Sequence, residues 1–323
     1  MRVILWLVAA LAVLWGGYWF VGSKAALRGA EEALARMEAD GLAIHGGLSV
    51  AGFPSRFDFT LDSPDIRSPD GLIRWQAPEV RAYALSYRPN HLIAVLPDRQ
   101  SLRIGAETIE VTSDDLRASA VLGLDTSVPL DRAQIVGKGL KLNSDFGWTL
   151  GLSEARFATR RSETPEEQQI GAELFSVGLA GLGIVPPELP GTVDRMRLDA
   201  VLGFDRPVDR KALEKPLRLR AADLRSVKID WGDTRLRGSG QVTIGAGRAP
   251  EGRIDFSIEN WKPLLGVLVA AGAIRPEIAP TWEKGLAQLA AASGDAKTLE
   301  LPLTFAGGVM SLGPIPLGPA PRF

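Results

Sequence analysis

The hydrophobic pattern of the chain changes once, close to its beginning. Residues Val3 to Val21 carry no charge, whereas apolar and charged residues alternate through most of the remaining chain. A helix rises about 1.5 Å per residue, so this segment has the length that crosses a hydrocarbon layer of roughly 30 Å. Aromatic rings prefer the level of the lipid headgroups, and they lie near both ends of the segment: Trp6, Trp15, Tyr18, Trp19 and Phe20. The pattern predicts a transmembrane anchor over residues 1–23.

A cleaved signal peptide is the competing interpretation of this segment, and a buried soluble helix is a third. A signal peptide has an apolar core of roughly 7–15 residues that ends in small residues before the cleavage site. Here the bulky residues Tyr18-Trp19-Phe20-Val21 stand directly before Gly22 and Ser23, which disfavours cleavage. The positive charges on the two sides nearly balance, so they indicate no orientation. Since such anchors usually keep the N-terminus in the cytoplasm, we expect a single-pass protein of the bacterial inner membrane whose body lies in the periplasm.

Helical spacing continues beyond the anchor. Leu27, Ala30, Leu34 and Met37 recur every three or four residues, and Gly41 is a typical helix end. We predict a helical stalk over residues 24–40.

The period then changes to two, which is typical of half-buried strands. Phe57, Phe59 and Leu61 alternate with polar residues. Turn residues interrupt such segments about every ten residues, as expected for antiparallel meanders; they are Pro69-Asp70-Gly71, Pro89-Asn90, Pro97-Asp98 and Ser113-Asp114. We predict a mainly β (β-rich α+β) body over residues 41–323, with a few packing helices.

Part of the body resembles another part of itself. The segment Ala120 to Asp125 recurs as Ala200 to Asp205, and an Asp-Arg pair comes after both copies. Each copy precedes a strand, a tight turn with a tryptophan and another strand. These similarities predict duplicated antiparallel β-units near residues 116–160 and 196–245. Chance similarity between strand-turn patterns is the alternative.

Three segments have helical signatures. Thr164-Pro165-Glu166-Glu167 combines an N-cap, a proline at the first helical position and a capping box, which predicts a helix that ends near Pro186. Residues 261–271 and 281–292 form a second helical region. Its first part is apolar most of the way round, so it is buried or covers an apolar groove; the residues are Leu264, Leu265, Val267, Leu268 and Val269.

The pattern of the C-terminal segment predicts a β-hairpin, followed by residues at the edge of the sheet or on the surface. Apolar residues alternate from Leu299 to Phe305, and Gly307-Gly308 favours a two-residue turn before the return strand. The proline-rich residues after this strand cannot donate to a full ladder, so they cap an edge or lie extended on the surface.

The composition mainly excludes classes of function. The chain has 37 basic and 38 acidic residues, well mixed, which disfavours nucleic-acid binding. It has no cysteine, so disulfides, thiolate nucleophiles and cysteine metal sites are excluded. His45 and His91 lie within strand patterns, and no catalytic, nucleotide-binding or metal-binding motif accompanies them. We therefore predict no enzyme, no catalytic residue, no cofactor and no metal.

Five segments resemble a known family. They are Gly52 to Phe57, Trp75 to Pro78, Tyr87 to His91, Leu312 to Gly318 and the N-terminal segment itself. Together they look like an alphaproteobacterial membrane-anchored family known as a domain of unknown function, of the DUF 2125 type. The resemblance implies an envelope location and a β-rich fold, but no activity. A looser likeness, at the level of fold alone, is to AsmA-type envelope proteins, whose repeated strands form a lipid-accommodating groove.

The pattern supports two functional hypotheses. The first is a non-enzymatic envelope protein that binds or shields a lipid in an apolar groove of a curved sheet. The second is an anchored scaffold that docks a protein partner through a sheet edge or the proline-rich tail. An open apolar trough favours the first hypothesis, and a closed, side-chain-filled sandwich favours the second.

Overall fold

The structure is a computed structural model of the chain, and it describes residues 2–212, 215, 217–245, 247–292, 294–313 and 315–322. It is 53% strand and 20% helix and contains an open antiparallel sheet, which confirms the β-rich fold class. The chain forms two compact units. Unit 1 comprises Met1–Leu122 and Lys141–Gly147, and unit 2 comprises Gly123–Leu140 and Trp148–Phe323.

Unit 1 begins with one long helix, α1 (Arg2–Ala39). The segments predicted as anchor and stalk therefore lie in one continuous helix. Gly41 has a positive φ of 70°, and the amide of Leu42 donates to the carbonyl of Met37, so the helix ends as predicted. Within the residues that the structure describes, no helix combines the length and the hydropathy of a membrane span.

Short strands make up the rest of unit 1. They are β1 (Ala43–Ile44), β2 (Gly47–Ala51), β3 (Arg56–Asp62), β4 (Asp65–Arg67), β5 (Ile73–Gln76), β6 (Glu79–Leu85), β7 (Arg88–Val95), β8 (Arg99–Ile104), β9 (Glu107–Thr112), β10 (Asp115–Leu122) and the end of β11 (Leu130–Ser144). Two antiparallel ladders result. One joins β2, β3, β6, β7 and β10, and the other joins β1, β4, β5, β8, β9 and β11.

The chain passes from one ladder to the other at bends within long strands. β3 continues as β4 after Ser63-Pro64, and β5 continues as β6 after Ala77-Pro78. Proline has no amide hydrogen to give to a ladder, which makes it suitable for such an interruption. Hydrogen bonds still cross the bend, because the amide of Ser63 donates to the carbonyl of Pro78 at 2.8 Å. Each long strand therefore contributes to both ladders.

The structure corrects three of the predicted turns. Pro97-Asp98 and Ser113-Asp114 do not reverse the chain but separate β7 from β8 and β9 from β10. Pro89 lies inside β7, and the reversal occurs at Ser86 and Tyr87. Proline and aspartate interrupt a ladder in a bend as well as in a turn, so composition alone does not distinguish the two.

Unit 2 is a meander in which each strand pairs with the next along the chain. After the first part of β11, its strands are β12 (Thr149–Arg161), β13 (Glu167–Gly178), β14 (Thr192–Phe204), β15 (Leu219–Trp231), β16 (Thr234–Ile244), β17 (Pro250–Glu259), β18 (Thr298–Ala306), β19 (Val309–Leu312) and β20 (Ile315–Pro319). From β12 to β20 the neighbours are antiparallel. Two helices, α2 (Lys262–Ala270) and α3 (Ala279–Ala292), lie between β17 and β18 in the chain.

The helix predicted after Thr164 is wrong, because residues 167–178 form β13. The amide of Glu167 donates to the carbonyl of Thr164, so the apparent capping box closes a turn between β12 and β13. Ile170 and Leu174 are four residues apart, a spacing that places them on one face of a helix and also on one face of a strand. Pairing with β12 and β14 decides between the two.

The other helical and C-terminal predictions agree with the structure. α2 and α3 occupy the second helical region. Gly307 and Gly308 both have positive φ values, 58° and 77°, and join β18 to β19. β20 contains Pro316 and pairs with β19, while Pro314 of the predicted tail lies outside the described residues. Both copies of the proposed repeat contain a strand, a loop and two long strands around a glycine turn, but the duplication itself stays a prediction.

Candidate functional site

One face of the unit 2 sheet is apolar across five neighbouring strands, β14 to β18. Residues that pair directly across an antiparallel ladder project from the same face, so the registers define rows of side chains. Four rows contain only apolar residues and glycine: Met196, Ile229, Leu236, Ile258 and Leu299; then Leu198, Val227, Gly238, Phe256 and Leu301; then Ala200, Leu224, Gly240, Ile254 and Leu303; then Leu202, Ala222, Val242, Gly252 and Phe305.

The first of these, which we call the covered row, lies beneath two helices. α3 contributes Leu286 and Ala290 to a cluster with Leu299, which is 2% exposed. α2 contributes Leu264 and Val267 to a second cluster, around Trp231. The helices therefore complete a core at this end of the sheet.

The second row also reaches this core, because Leu301 belongs to the cluster with Leu299. The last two rows, which we call the half-buried rows, differ from the covered row. Within the described residues, none of their members belongs to the two clusters that α2 and α3 cover. Large members of these rows are half-buried, namely Leu202, Leu224, Val242, Ile254, Leu303 and Phe305. Most of the covered row is half-buried as well, and Leu299 is its buried member, so the rows differ in what packs on them more than in exposure. A face of this composition is normally removed from water more completely.

Two glycines shape the half-buried rows. A Cβ added to Gly240 would lie 2.2 Å from the carbonyl oxygen of Arg253, and one added to Gly252 would lie 2.2 Å from that of Gln241. These positions require glycine because the neighbouring backbone is too close for any side chain. Gly240, between Leu224 and Ile254, and Gly252, between Val242 and Phe305, therefore form a narrow strip of the face without side chains.

The opposite face of the same strands is polar. A groove of about 710 Å³ is lined by charged residues, Arg225, Lys228, Arg237, Arg253, Asp255 and Glu300, and also by Val227, Phe256 and Leu301. Arg253 and Asp255 form an ion pair at 2.5 Å and are both more than half exposed.

The predicted helix site, Leu264 to Val269, lies in α2. Leu265 is buried, Leu264 and Val267 pack on the Trp231 cluster, and Leu268 remains 45% exposed. The helix therefore covers part of the apolar face and leaves one side to solvent.

Three of the aromatic residues predicted as membrane anchors, Trp15, Tyr18 and Trp19, form hydrogen bonds within unit 1. The indole Nε1 of Trp15 donates to the carbonyl of Pro54 at 2.8 Å, and that of Trp19 donates to the carbonyl of Arg56 at 2.7 Å. The Tyr18 hydroxyl donates to the carbonyl of Ser86 at 2.7 Å. Trp19 is 7% exposed, whereas Trp6 is 75% exposed. A role of these residues at a membrane stays a prediction.

Unit 1 also contains a shielded ion-pair cluster that the sequence analysis missed. The Asp65 carboxylate accepts hydrogen bonds from Arg74, whose Nε lies 2.8 Å from Oδ1, and from Arg67 and Gln76. The hydrogen bond from Arg74 is the main reason that the pKa of Asp65 lies below its ordinary value, although burial opposes it. Arg67 lies two residues away on the same strand, β4, whereas Arg74 and Gln76 lie nine and eleven residues away on β5, so strand pairing brings these two to Asp65.

Side chains that could act in catalysis or bind a metal are sparse in the part of the chain that the structure describes. The His45 Nε2 lies 3.5 Å from an oxygen of Glu38, and His91 lies within β7, opposite Val121. Among the described residues, no group of three or more His, Asp or Glu side chains could hold a metal ion. The apolar face of unit 2 is the candidate site.

These features define a class of protein: an open antiparallel sheet with one apolar face that helices cover only in part. Residues 19–321 match the family described as "Uncharacterized protein conserved in bacteria (DUF2125)". The chain belongs to this family, which confirms the resemblance inferred from its motifs. No curated protein and no solved structure matches the chain. The alphaproteobacterial origin and the likeness to AsmA-type proteins stay predictions.

Proposed function

We propose that this protein is a non-enzymatic envelope protein that binds the acyl chain of a lipid on the half-buried rows of unit 2. The observation that carries the proposal is the register of β14 to β18, which aligns apolar residues and glycines beyond the end that α2 and α3 cover. Five strands about 4.8 Å apart span roughly 19 Å, which is comparable to an extended fatty acyl chain.

The free energy expected from burying an acyl chain on this face is sufficient for binding. Each methylene transferred from water to an apolar surface contributes about 0.8 kcal/mol. About ten methylenes would therefore supply roughly 8 kcal/mol before the cost of ordering the chain is subtracted. The strip at Gly240 and Gly252 offers a chain close contact with the sheet.

The proposal includes attachment to the bacterial inner membrane through α1, with the body in the periplasm. Several large apolar side chains on the first half of α1 are exposed; Leu11 is 60%, Val13 is 74% and Leu14 is 69% exposed. Such a surface is costly in water and favours a lipid or protein environment. The lipid bilayer is accordingly both the site of attachment and the source of the ligand.

Lipid extraction followed by mass spectrometry tests the binding site. The pair Leu303→Gln and Thr304→Gln is matched, because both positions are half-buried in β18 and project from opposite faces. We expect lipid to accompany the purified wild-type chain and the Thr304→Gln variant, and to fall several-fold in Leu303→Gln. Wild-type protein without lipid, or equal loss in the two variants, would contradict the proposal.

An anchored scaffold is the second candidate. β20 pairs with β19 at the end of the meander, and Leu317 on it is 41% exposed. However, Pro316 and Pro319 lack the amide hydrogens that a partner strand would use. Crosslinking in membranes checks this candidate, since it requires a discrete partner that is lost when residues 314–323 are deleted. Pro314 and Phe323 themselves lie outside the described residues.

A further inference from the structure

Exposed aromatic side chains gather at one end of unit 1, which we call the aromatic end. Two of them come from hairpin tips: Phe53, 57% exposed, precedes β3, and Tyr87, 59% exposed, precedes β7. Three more lie on α1, where Trp15 is 41%, Tyr18 is 50% and Phe20 is 58% exposed. Large aromatic side chains are rarely left in water together.

Specific contacts hold these side chains close to one another. The ring centroids of Phe53 and Phe20 are 5.9 Å apart, and those of Phe53 and Trp19 are 5.3 Å apart. The Tyr18 hydroxyl binds the carbonyl of Ser86, directly before Tyr87. Both hairpin tips are therefore fixed beside residues 15–20 of α1.

The charges around the aromatic end indicate the kind of partner. Arg88 follows Tyr87, and Lys24 and Arg28 follow the aromatic residues of α1; all three cations are exposed. Tyrosine and tryptophan favour the lipid headgroup region. Each Lys or Arg near an anionic membrane surface contributes about 1 kcal/mol. Exposed aromatic rings beside cations are what an anionic lipid surface would bind.

We propose that the aromatic end is a second membrane contact, in which the tips carrying Phe53 and Tyr87 lie at the headgroup level of an anionic bilayer. The contact fixes the orientation of unit 1 on the membrane, which a helix alone does not. The inference rests on the proposed attachment through α1, but it concerns different residues.

The opposite end of the same strands provides a control. β3 and β4 lead from the aromatic end to the hairpin that carries Leu72, which is also 57% exposed. The residues between the two tips span a few tens of ångströms at about 3.3 Å each. A bilayer that contacts Phe53 therefore leaves Leu72 in water.

Site-specific labelling tests the contact, because the natural chain has no cysteine. Full-length Phe53→Cys, Tyr87→Cys and Leu72→Cys variants carry an environment-sensitive fluorophore, and the vesicles contain equal parts of phosphatidylcholine and phosphatidylglycerol. We expect a blue-shifted emission that headgroup-attached quenchers reduce at positions 53 and 87, and no change at 72. Tyr87→Cys keeps the test valid if loss of Phe53 disturbs its contact with Trp19.

The outcomes separate the inference from the proposed function. A chain that does not float with the vesicles overturns both the attachment through α1 and the aromatic contact. A chain that floats while positions 53 and 87 emit as in water overturns the aromatic contact alone. Equal shifts at all three positions also contradict it, since they indicate unspecific adsorption. Acyl-chain binding on unit 2 is judged separately, by the Leu303→Gln variant.

Discussion

The covered row and the half-buried rows of unit 2 belong to the same strands and contain the same residue types. In the covered row, Leu299 is 2% exposed and packs against α3, whereas Leu303, four residues further along β18, is half-buried. Alternation along a strand therefore specifies an apolar face, but not what covers it. The elements that cover the face come from the connections between the strands, not from the strands themselves.

The connections between strands explain the difference. Residues 179–191 and 260–297 are long connections that leave the sheet at the covered row, and they supply Leu189, α2 and α3 to the core. At the other end, β16–β17 and β18–β19 are joined by short turns, whereas residues 205–218 form a longer connection between β14 and β15. Short turns provide no apolar side chains to place over the face, so a ligand can take that position.

The largest expected effect compares two leucines of β18. Leu299→Ala removes a fully buried side chain and should lower the free energy of unfolding by about 2–5 kcal/mol. Leu303→Ala should cost about 1 kcal/mol, because water already reaches this position. Urea denaturation of the lipid-free protein measures both values. Equal losses would mean that the two rows are covered alike.

A second comparison concerns ion pairs. Asp65 is shielded and hydrogen-bonded by Arg74, whereas Asp255 pairs with Arg253 while both are exposed. At neutral pH, Asp65→Asn should lower the free energy of unfolding by about 1–3 kcal/mol. Asp255→Asn should lower it by less than about 0.5 kcal/mol.

The pH dependence has a definite sign. Because the pKa of folded Asp65 lies below its ordinary value, its contribution is complete above that ordinary value, about 3.9. It is lost as the pH falls through the lowered pKa of the folded state. The stability difference between wild type and Asp65→Asn should therefore shrink on acidification below about pH 4, as measured by urea denaturation. A difference that stays constant would contradict the assignment.

The smallest effect is expected on the outer side of α2. Leu268 is 45% exposed, whereas Leu265, one turn earlier, is 8% exposed. Leu268→Gln should change stability by less than about 0.5 kcal/mol, while Leu265→Ala should cost about 2 kcal/mol or more. Thermal unfolding distinguishes the two. A large loss from Leu268→Gln would mean that this side of α2 is also covered.

Sequence reasoning predicted elements whose pattern is local. The alternation of Phe57, Phe59 and Leu61 identified β3, and the apolar segment around Leu264 identified α2. It failed at β13, because Ile170 and Leu174 satisfy helical and strand periodicity alike. It also mistook the bend at Pro97 for a turn.

The sequence predicted the kind of candidate site but not the residues that form it. An apolar groove was expected, but the row formed by Leu224, Ile254 and Leu303 depends on the register of four strands, and register is a long-range property. The Asp65 cluster was missed for the same reason. The spacing of Gly240 and Gly252 could have marked a close approach of β16 and β17.

Photo-crosslinking tests the central claim most directly. A fatty acid with a photoreactive diazirine in mid-chain is bound to the purified full-length protein, activated by light, and located by mass spectrometry of peptides. We predict labelling concentrated in the segments that carry Leu224, Ile254 and Leu303, with competition by unlabelled fatty acid. Labelling confined to α1, or spread over both faces of the sheet, would contradict acyl-chain binding on the half-buried rows.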